Sequence, residues 1–127
     1  MPCEVSHVPD TNTVMVVAHG KVTSQDALQA NEKASHLLIQ NGAAQVLADY
    51  SDAVSELATL DIHALPEYSD NLGVPKNIRI ALVVPSTKYR VEDFQFYGTV
   101  CRNRGYNCKI FGSREAAAKW LDGGETA

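Results

Sequence analysis

The sequence has no long hydrophobic run, no cluster of basic residues, and only three cysteines in 127 residues. No apolar stretch approaches the roughly 20 residues that a membrane-spanning helix needs, and the N-terminus lacks the basic-then-apolar pattern of a secretory signal. The formal net charge of −4 disfavours nucleic acid and anionic membranes, because both are bound through clustered Lys and Arg. We therefore expect a cytoplasmic protein that neither binds nucleic acid nor inserts into a membrane.

The cysteines and histidines lack metal-binding spacing. Cys3, Cys101 and Cys108 form no CxxC pair and the four histidines are scattered, whereas zinc sites use closely spaced ligands. We expect three reduced thiols, two of them in or near the core, and neither a metal nor a cofactor. The Gly-Lys-Val-Thr segment at residues 20–23 is too short and wrongly spaced for a phosphate loop, and no GxGxxG precedes a helix.

Short apolar runs recur along the chain, at residues 14–18, 45–50, 80–84 and 109–111. Their nearly continuous apolar character indicates strands buried on both faces, as in parallel sheets. A turn-forming segment after the first eight residues predicts an N-terminal β-hairpin. Helical stretches follow the later strands, and right-handed crossovers make those strands parallel. The sequence thus predicts a single α/β domain over residues 1–127, with a mostly parallel mixed sheet, about four helices and a flexible tail at 123–127.

Capping residues mark the helix ends. Thr23 and Asp26 have the spacing of a capping box, Gly42 supplies a C-terminal stop, and Ser113 caps the last helix. Pro66 lies inside the second helical pattern, where an internal proline costs about 3 kcal/mol. We therefore expect two short helices there, or a kinked one.

The polar loops after the parallel strands form the first candidate site, because open α/β sheets bind ligands at the carboxyl ends of their strands. Helix N-termini at this edge favour anions, and cationic side chains would strengthen such contacts. The same residues can equally serve as helix caps and solvated charges, since every helix needs a cap. The residues gathered there are Lys21, Asp49, Tyr50, Ser51, Asp52, Ser86, Thr87, Lys88, Ser113 and Arg114.

No catalytic signature accompanies these loops, and we expect no enzyme. Ser51 lies between two aspartates, but a serine nucleophile needs a base such as His, and no GxSxG elbow is present. Hydrogen bonding in an Asx turn accounts for the aspartates without a catalytic role.

An aromatic segment is the second candidate region. Phe94 and Tyr97 fall on the core stripe of their helix, whereas Phe96 points elsewhere on it. Phe96 and Tyr89 are therefore candidates to line a pocket or a partner surface. This predicts, as an alternative function, a small-molecule or lipid carrier with an apolar pocket beside the Phe94 helix.

Two stretches carry a family resemblance. Residues 77–84 (Asn-Ile-Arg-Ile-Ala-Leu-Val-Val), followed by a helix containing Phe94, and residues 109–121 (Lys-Ile-Phe-Gly-Ser-Arg-Glu-Ala-Ala-Ala-Lys-Trp-Leu) resemble the SpoIIAA-like family. That family is related to the STAS domain and more distantly to the CRAL-TRIO (Sec14) modules. The likeness extends over nearly the whole chain, including Gly20 and Asp49. It implies a STAS-like sheet with helices, and a regulatory or protein-interaction module rather than an enzyme.

The resemblance also implies a place for regulation. In anti-sigma-factor antagonists, a serine after the third strand is phosphorylated to switch partner binding. Ser51 is the nearest positional counterpart and Ser55 the next, although residues 49–55 lack the Asp-Ser-Ser/Thr-Gly pattern of those proteins. We expect a protein partner at residues 49–55. The unpaired edge of the first strand, Cys3–Val8, also allows a homodimer.

Overall fold

The computed structural model describes residues 2–85 and 91–123 of the chain. In this part a five-stranded sheet has the order β1-β2-β3-β4-β5, with β1 antiparallel to β2 and every other neighbouring pair parallel. The elements are β1 (Cys3–Val8), β2 (Thr13–Thr23), α1 (Ser24–Asn41), β3 (Gln45–Glu56), α2 (Thr59–Leu72), β4 (Arg79–Val83), α3 (Val91–Asn103), β5 (Asn107–Phe111) and α4 (Arg114–Leu121). The predicted α/β class, the hairpin at one edge and the four helices are confirmed. Of the predicted tail, all but Gly123 lies outside the described residues.

Helices cover both faces of the sheet, and each face has its own core. Side chains of a strand point alternately to the two faces. Leu82 and Phe94 lie in the core on the side of α1, α2 and α3. Leu47, Val83 and Trp120 lie in the core under α4. Both faces of the central strands are therefore buried, which explains their continuous apolar runs.

The helix ends follow the predicted capping signals. The Thr23 hydroxyl accepts a hydrogen bond from the Asp26 N–H at 3.2 Å, and the Asp26 carboxylate accepts one from the Thr23 N–H at 3.0 Å. Gly42 ends α1 with φ +57°, a left-handed conformation that favours glycine. The Ser113 hydroxyl caps α4 by accepting from the Ala116 N–H at 3.2 Å.

Strands β2 and β3 extend further than the sequence predicts. The loops expected at residues 19–21 and 49–52 are strand instead. The two strands stay paired with each other as far as Thr23 and Glu56, well beyond the end of β4. We call this part the β2–β3 extension, and it consists of residues 19–23 and 50–56.

The extension forms strand because its inner face is buried. Val22 and Ala53 are only 1% and 2% exposed, and they share a core cluster with Ile62 and Leu65 of α2. An isolated two-stranded ribbon is marginal in water, but burial of apolar side chains against helices stabilises this one. The polar residues that suggest a loop lie on its outer face.

A β-bulge in β3 decides which side chains face outward. From Val17 to His19 in β2, the paired residues of β3 advance from Asp49 to Asp52, so β3 contains one extra residue. Because strand side chains alternate, the extra residue reverses the alternation from that point on. Ser51 and Asp52, which are neighbours in sequence, are consequently both exposed.

Helix α2 is a single helix from Thr59 to Leu72, so the expectation of two short helices is wrong. Pro66 lies inside it and is fully buried. The side-chain amide of Asn31, in α1, donates to the Leu65 carbonyl at 3.2 Å. Packing and hydrogen bonding against α1 therefore outweigh the cost of about 3 kcal/mol for an internal proline.

The thiols lie as the sequence predicts. Cys101 and Cys108 are buried, Cys3 is half-buried, and all three are free. Within residues 2–85 and 91–123, no helix has the length and apolar character to cross a membrane. The same residues contain no cluster of His, Cys, Asp or Glu able to hold a metal ion.

Candidate functional site

A buried carboxylate at the carboxyl end of the sheet ties the bulge of β3 to helix α4. Asp49, only 6% exposed, accepts on Oδ1 from the Ser51 N–H at 3.0 Å and from the Ser51 hydroxyl at 2.7 Å. Its Oδ2 accepts from Nε and Nη2 of Arg114 at 2.8 and 2.6 Å. The bond from the Ser51 N–H is the one predicted for an Asx turn. We call Asp49, Ser51 and Arg114 the Asp49 cluster.

The electrostatics of the cluster favour a structural carboxylate over a catalytic base. Burial raises the pKa of Asp49, but the hydrogen bonds from Ser51 and the contacts with Arg114 together lower it below its usual 3.8. The carboxylate is therefore ionised at neutral pH, and both of its oxygens are engaged. A carboxylate with a lowered pKa is a poor general base for a serine hydroxyl. The arrangement fixes the position of Ser51 without activating it.

Exposed polar side chains continue from this cluster along the outer face of the β2–β3 extension. The pairing of His19 with Asp52 and of Lys21 with Val54 places all four on that face. We define the outer face of the extension as a set of six exposed or partly exposed residues, namely His19, Lys21, Ser51, Asp52, Val54 and Glu56. His19 and Glu56 are absent from the sequence-based candidates, because recognising them requires the alternation on both sides of the bulge.

The remaining candidates at this edge fall into two groups. Ser113 and Arg114 are both exposed, and Ser113 directly precedes the arginine of the Asp49 cluster. Arg114, one of the cations expected to hold an anion, is instead paired with Asp49. Four further candidates, Ser86, Thr87, Lys88 and Tyr89, lie outside the described residues.

Three candidates face the interior, and the structure corrects their expected exposure. The Tyr50 ring packs edge-on against Phe94, with ring centroids 5.5 Å apart. Ser55 is 3% exposed, and its hydroxyl donates to Asp93 Oδ2 at 2.6 Å. Phe96 is partly buried against the core cluster beneath the extension. Tyr50 and Ser55 point inward because they occupy the inner positions of β3 on either side of the bulge.

An interior cavity of about 100 Å³ lies between the sheet and α1, α2 and α3, beside Phe94. Pockets for drug-sized ligands are roughly 300–1,000 Å³, so this cavity is too small for a lipid. The lipid-carrier alternative is therefore not supported.

Solved structures resemble this chain, although no protein-family model and no curated protein matches it. The anti-sigma factor antagonist SpoIIAA in its unphosphorylated form has a TM-score of 0.62 and 17% identity, over 95% of this chain and 98% of that one. An uncharacterised DUF3478-family protein from Shewanella loihica with a SpoIIAA-like fold has a TM-score of 0.57 and 18% identity, over 94% and 91%. The Bacillus cell fate determinant SpoIIAA in its phosphorylated form has a TM-score of 0.57 and 18% identity, over 93% and 98%.

These likenesses concern the fold, because identities of 17% and 18% are too low to carry function from one protein to another. They cover nearly all of each chain, and they do not show the more distant resemblance to CRAL-TRIO modules. The family resemblance noted from residues 77–84 and 109–121 is confirmed at the level of fold. The chain has a SpoIIAA-like, STAS-type fold.

Proposed function

We propose that this domain is a non-enzymatic regulatory module that binds a protein partner through the outer face of the β2–β3 extension. The main support is a row of exposed polar side chains on two paired strands. The opposite face of these strands is buried in the core. The backbone of such a surface loses little conformational entropy on binding, because strand pairing already fixes it. The fold supports the proposal, since one structural neighbour is an anti-sigma factor antagonist.

The charges of the outer face indicate the chemistry of the partner surface. Lys21 of β2 is paired with Val54 of β3. Asp52 and Glu56 lie on β3, two residues before and two residues after Val54. A positive charge is thereby flanked by two negative ones, and a partner with the opposite pattern is complementary to it. Charge patterns of this kind set specificity and association rate more than affinity. Because these groups are exposed, binding weakens as ionic strength rises.

Ser51 is the proposed regulatory serine of this surface, because it is exposed whereas Ser55 is buried. A phosphate on the Ser51 oxygen removes the proton now donated to Asp49. The phosphate adds negative charge beside Asp49 and Asp52, and it also competes with Asp49 for Arg114. Phosphorylation would therefore rearrange the Asp49 cluster and change the shape of the outer face.

Affinity capture from the native host, quantified by mass spectrometry, tests the surface. The purified variants are Asp52→Lys and, as a matched control, Asp10→Lys, an exposed aspartate in the β1–β2 turn at the opposite end of the sheet. We expect a defined set of proteins to be captured by the wild type and by Asp10→Lys, and to fall at least tenfold with Asp52→Lys. Equal capture by both variants would refute the proposed surface, provided that circular dichroism shows both to be folded.

A further inference from the structure

We infer that the cavity between the sheet and helices α1 to α3 binds a small apolar molecule no larger than a single ring. The inference is independent of the proposed partner surface, because it concerns the opposite, buried side of β3. Protein interiors are close-packed, and voids larger than a water molecule are few. A cavity of about 100 Å³ in so small a domain is therefore a feature to be explained.

The cavity arises from short side chains on the buried face of α1. Three alanines and a serine of that helix line it, and Ala48 lines it from β3. The helix residues are Ala27, Ala30, Ala34 and Ser35. Side chains of this size cannot reach across the space between a helix and a sheet. Longer residues of the sheet, such as Val16 and Leu82, form the facing wall.

Serine, asparagine and aspartate side chains at the two ends of the cavity bond to each other. The Ser35 hydroxyl donates to Ser69 at 3.4 Å, and Ser69 donates to the Asn31 carbonyl oxygen at 3.1 Å. At the other end, Ser55 donates to Asp93. A buried water needs about two to four polar partners, and these groups have already satisfied each other. An apolar occupant matches the lining better than water does.

The volume sets the size of that occupant. An engineered apolar cavity of about 150 Å³ in another protein stays dry and binds benzene or xenon. The present cavity is somewhat smaller, so a monocyclic hydrocarbon is the upper limit. Benzene is therefore the probe that tests the inference, and xenon is a smaller one.

Methyl NMR of the full chain, titrated with benzene, reads out both faces of the sheet in one experiment. Val16, Val46 and Leu82 line the cavity. Leu47, Val83 and Leu121 lie in the core under α4 and serve as an internal control. We expect saturable chemical-shift changes in the first set and none in the second. The absence of saturable changes in the first set, or equal changes in both sets, would overturn the inference.

A pair of substitutions assigns the binding to the cavity. Ala34→Met adds a flexible side chain that fills the space, whereas Ala118→Met makes the same change at an exposed position of α4. We expect benzene affinity to fall at least tenfold with Ala34→Met and to stay unchanged with Ala118→Met. Undiminished binding by Ala34→Met would contradict the assignment. If Ala34→Met does not fold, the methyl titration of the wild type still decides the question.

Discussion

Two carboxylates at opposite ends of the sheet hold their cations in different ways. Asp70, at the end of α2 near the amino ends of β4 and β5, contacts Nζ of Lys76 at 2.5 Å, Nε of Arg104 at 2.6 Å and the Tyr106 hydroxyl at 2.5 Å. It therefore joins α2 to the segments that precede β4 and β5. Asp49, at the carboxyl ends of the strands, joins only its own strand to α4.

The two ends of the sheet therefore have different roles. The end with Asp70 stabilises the fold, whereas the end with Asp49 presents a polar surface. Burial raises the pKa of Asp70, but the hydrogen bonds from Lys76, Tyr106 and Arg104 lower it to about 2. Lys76, Arg104 and Tyr106 are thus all engaged by the same carboxylate. Near Asp49, by contrast, Asp52 and Lys21 stay exposed on the outer face of the extension. Asp49 therefore supports the outer face, and the charges of Asp52 and Lys21 remain exposed on it.

The largest expected effect is that of removing the Asp70 charge. Asp70→Asn removes the negative charge and one of the two acceptor oxygens that two cations and a tyrosine hydroxyl share, and hydrogen bonds to charged groups contribute about 1.5–3 kcal/mol. We expect the free energy of unfolding, measured by urea denaturation, to fall by about 2–3 kcal/mol. The exposed control Asp10→Asn should change it by less than about 0.5 kcal/mol. A similar small change with Asp70→Asn would mean that this end of the sheet does not depend on the carboxylate.

The stability of the domain should also depend on pH through Asp70. The folded-state pKa of Asp70, about 2, lies below the value of about 3.9 for an unfolded chain. Its contribution is therefore fully present above about pH 4 and is lost as the pH falls toward 2. A shift of this size corresponds to about 2.6 kcal/mol. Denaturation at pH 7, 4, 3 and 2 should show a steeper acid loss for the wild type than for Asp70→Asn, and parallel curves would contradict the assignment.

A smaller effect is expected at the other end of the sheet. Asp49→Asn keeps the shape of the side chain but weakens its contact with Arg114, whose side chain is 50% exposed. Because solvent screens such a pair, we expect a loss of about 1 kcal/mol in the free energy of unfolding. A double-mutant cycle with Arg114→Ala measures the coupling between the two residues. A loss as large as that of Asp70→Asn would erase the proposed distinction between the two ends.

The architecture was predictable from the sequence because its signals are local. Apolar runs predicted the core strands, and the spacing of Thr23 and Asp26 predicted the start of α1. The β2–β3 extension was not predictable in this way, because its polar outer residues have the composition of a loop. The continuous helix α2 was not predictable for a similar reason. The destabilising effect of Pro66 is visible in the local sequence, whereas the stabilising contacts come from α1.

The candidate site was predictable only in part. Asp49 and Ser51 are close in sequence, so their hydrogen bond follows from turn chemistry. The ion pair of Asp49 with Arg114 spans 65 positions and follows from the fold alone. The inward direction of Ser55 and the outward direction of Asp52 depend on the bulge, which no local sequence pattern predicts. One extra residue decided which candidates reach the surface.

The bulge in β3 makes this stretch sensitive to the number of its residues rather than to their identity. Substitution at Ser51 changes one exposed side chain and leaves the pairing intact. Insertion of a single residue directly after Asp52 would shift the following residues by one position against β2 and turn their side chains over. Ala53 and Ser55, now buried, would then face solvent. Homologous chains with this fold should therefore vary freely in composition here while keeping the segment at constant length.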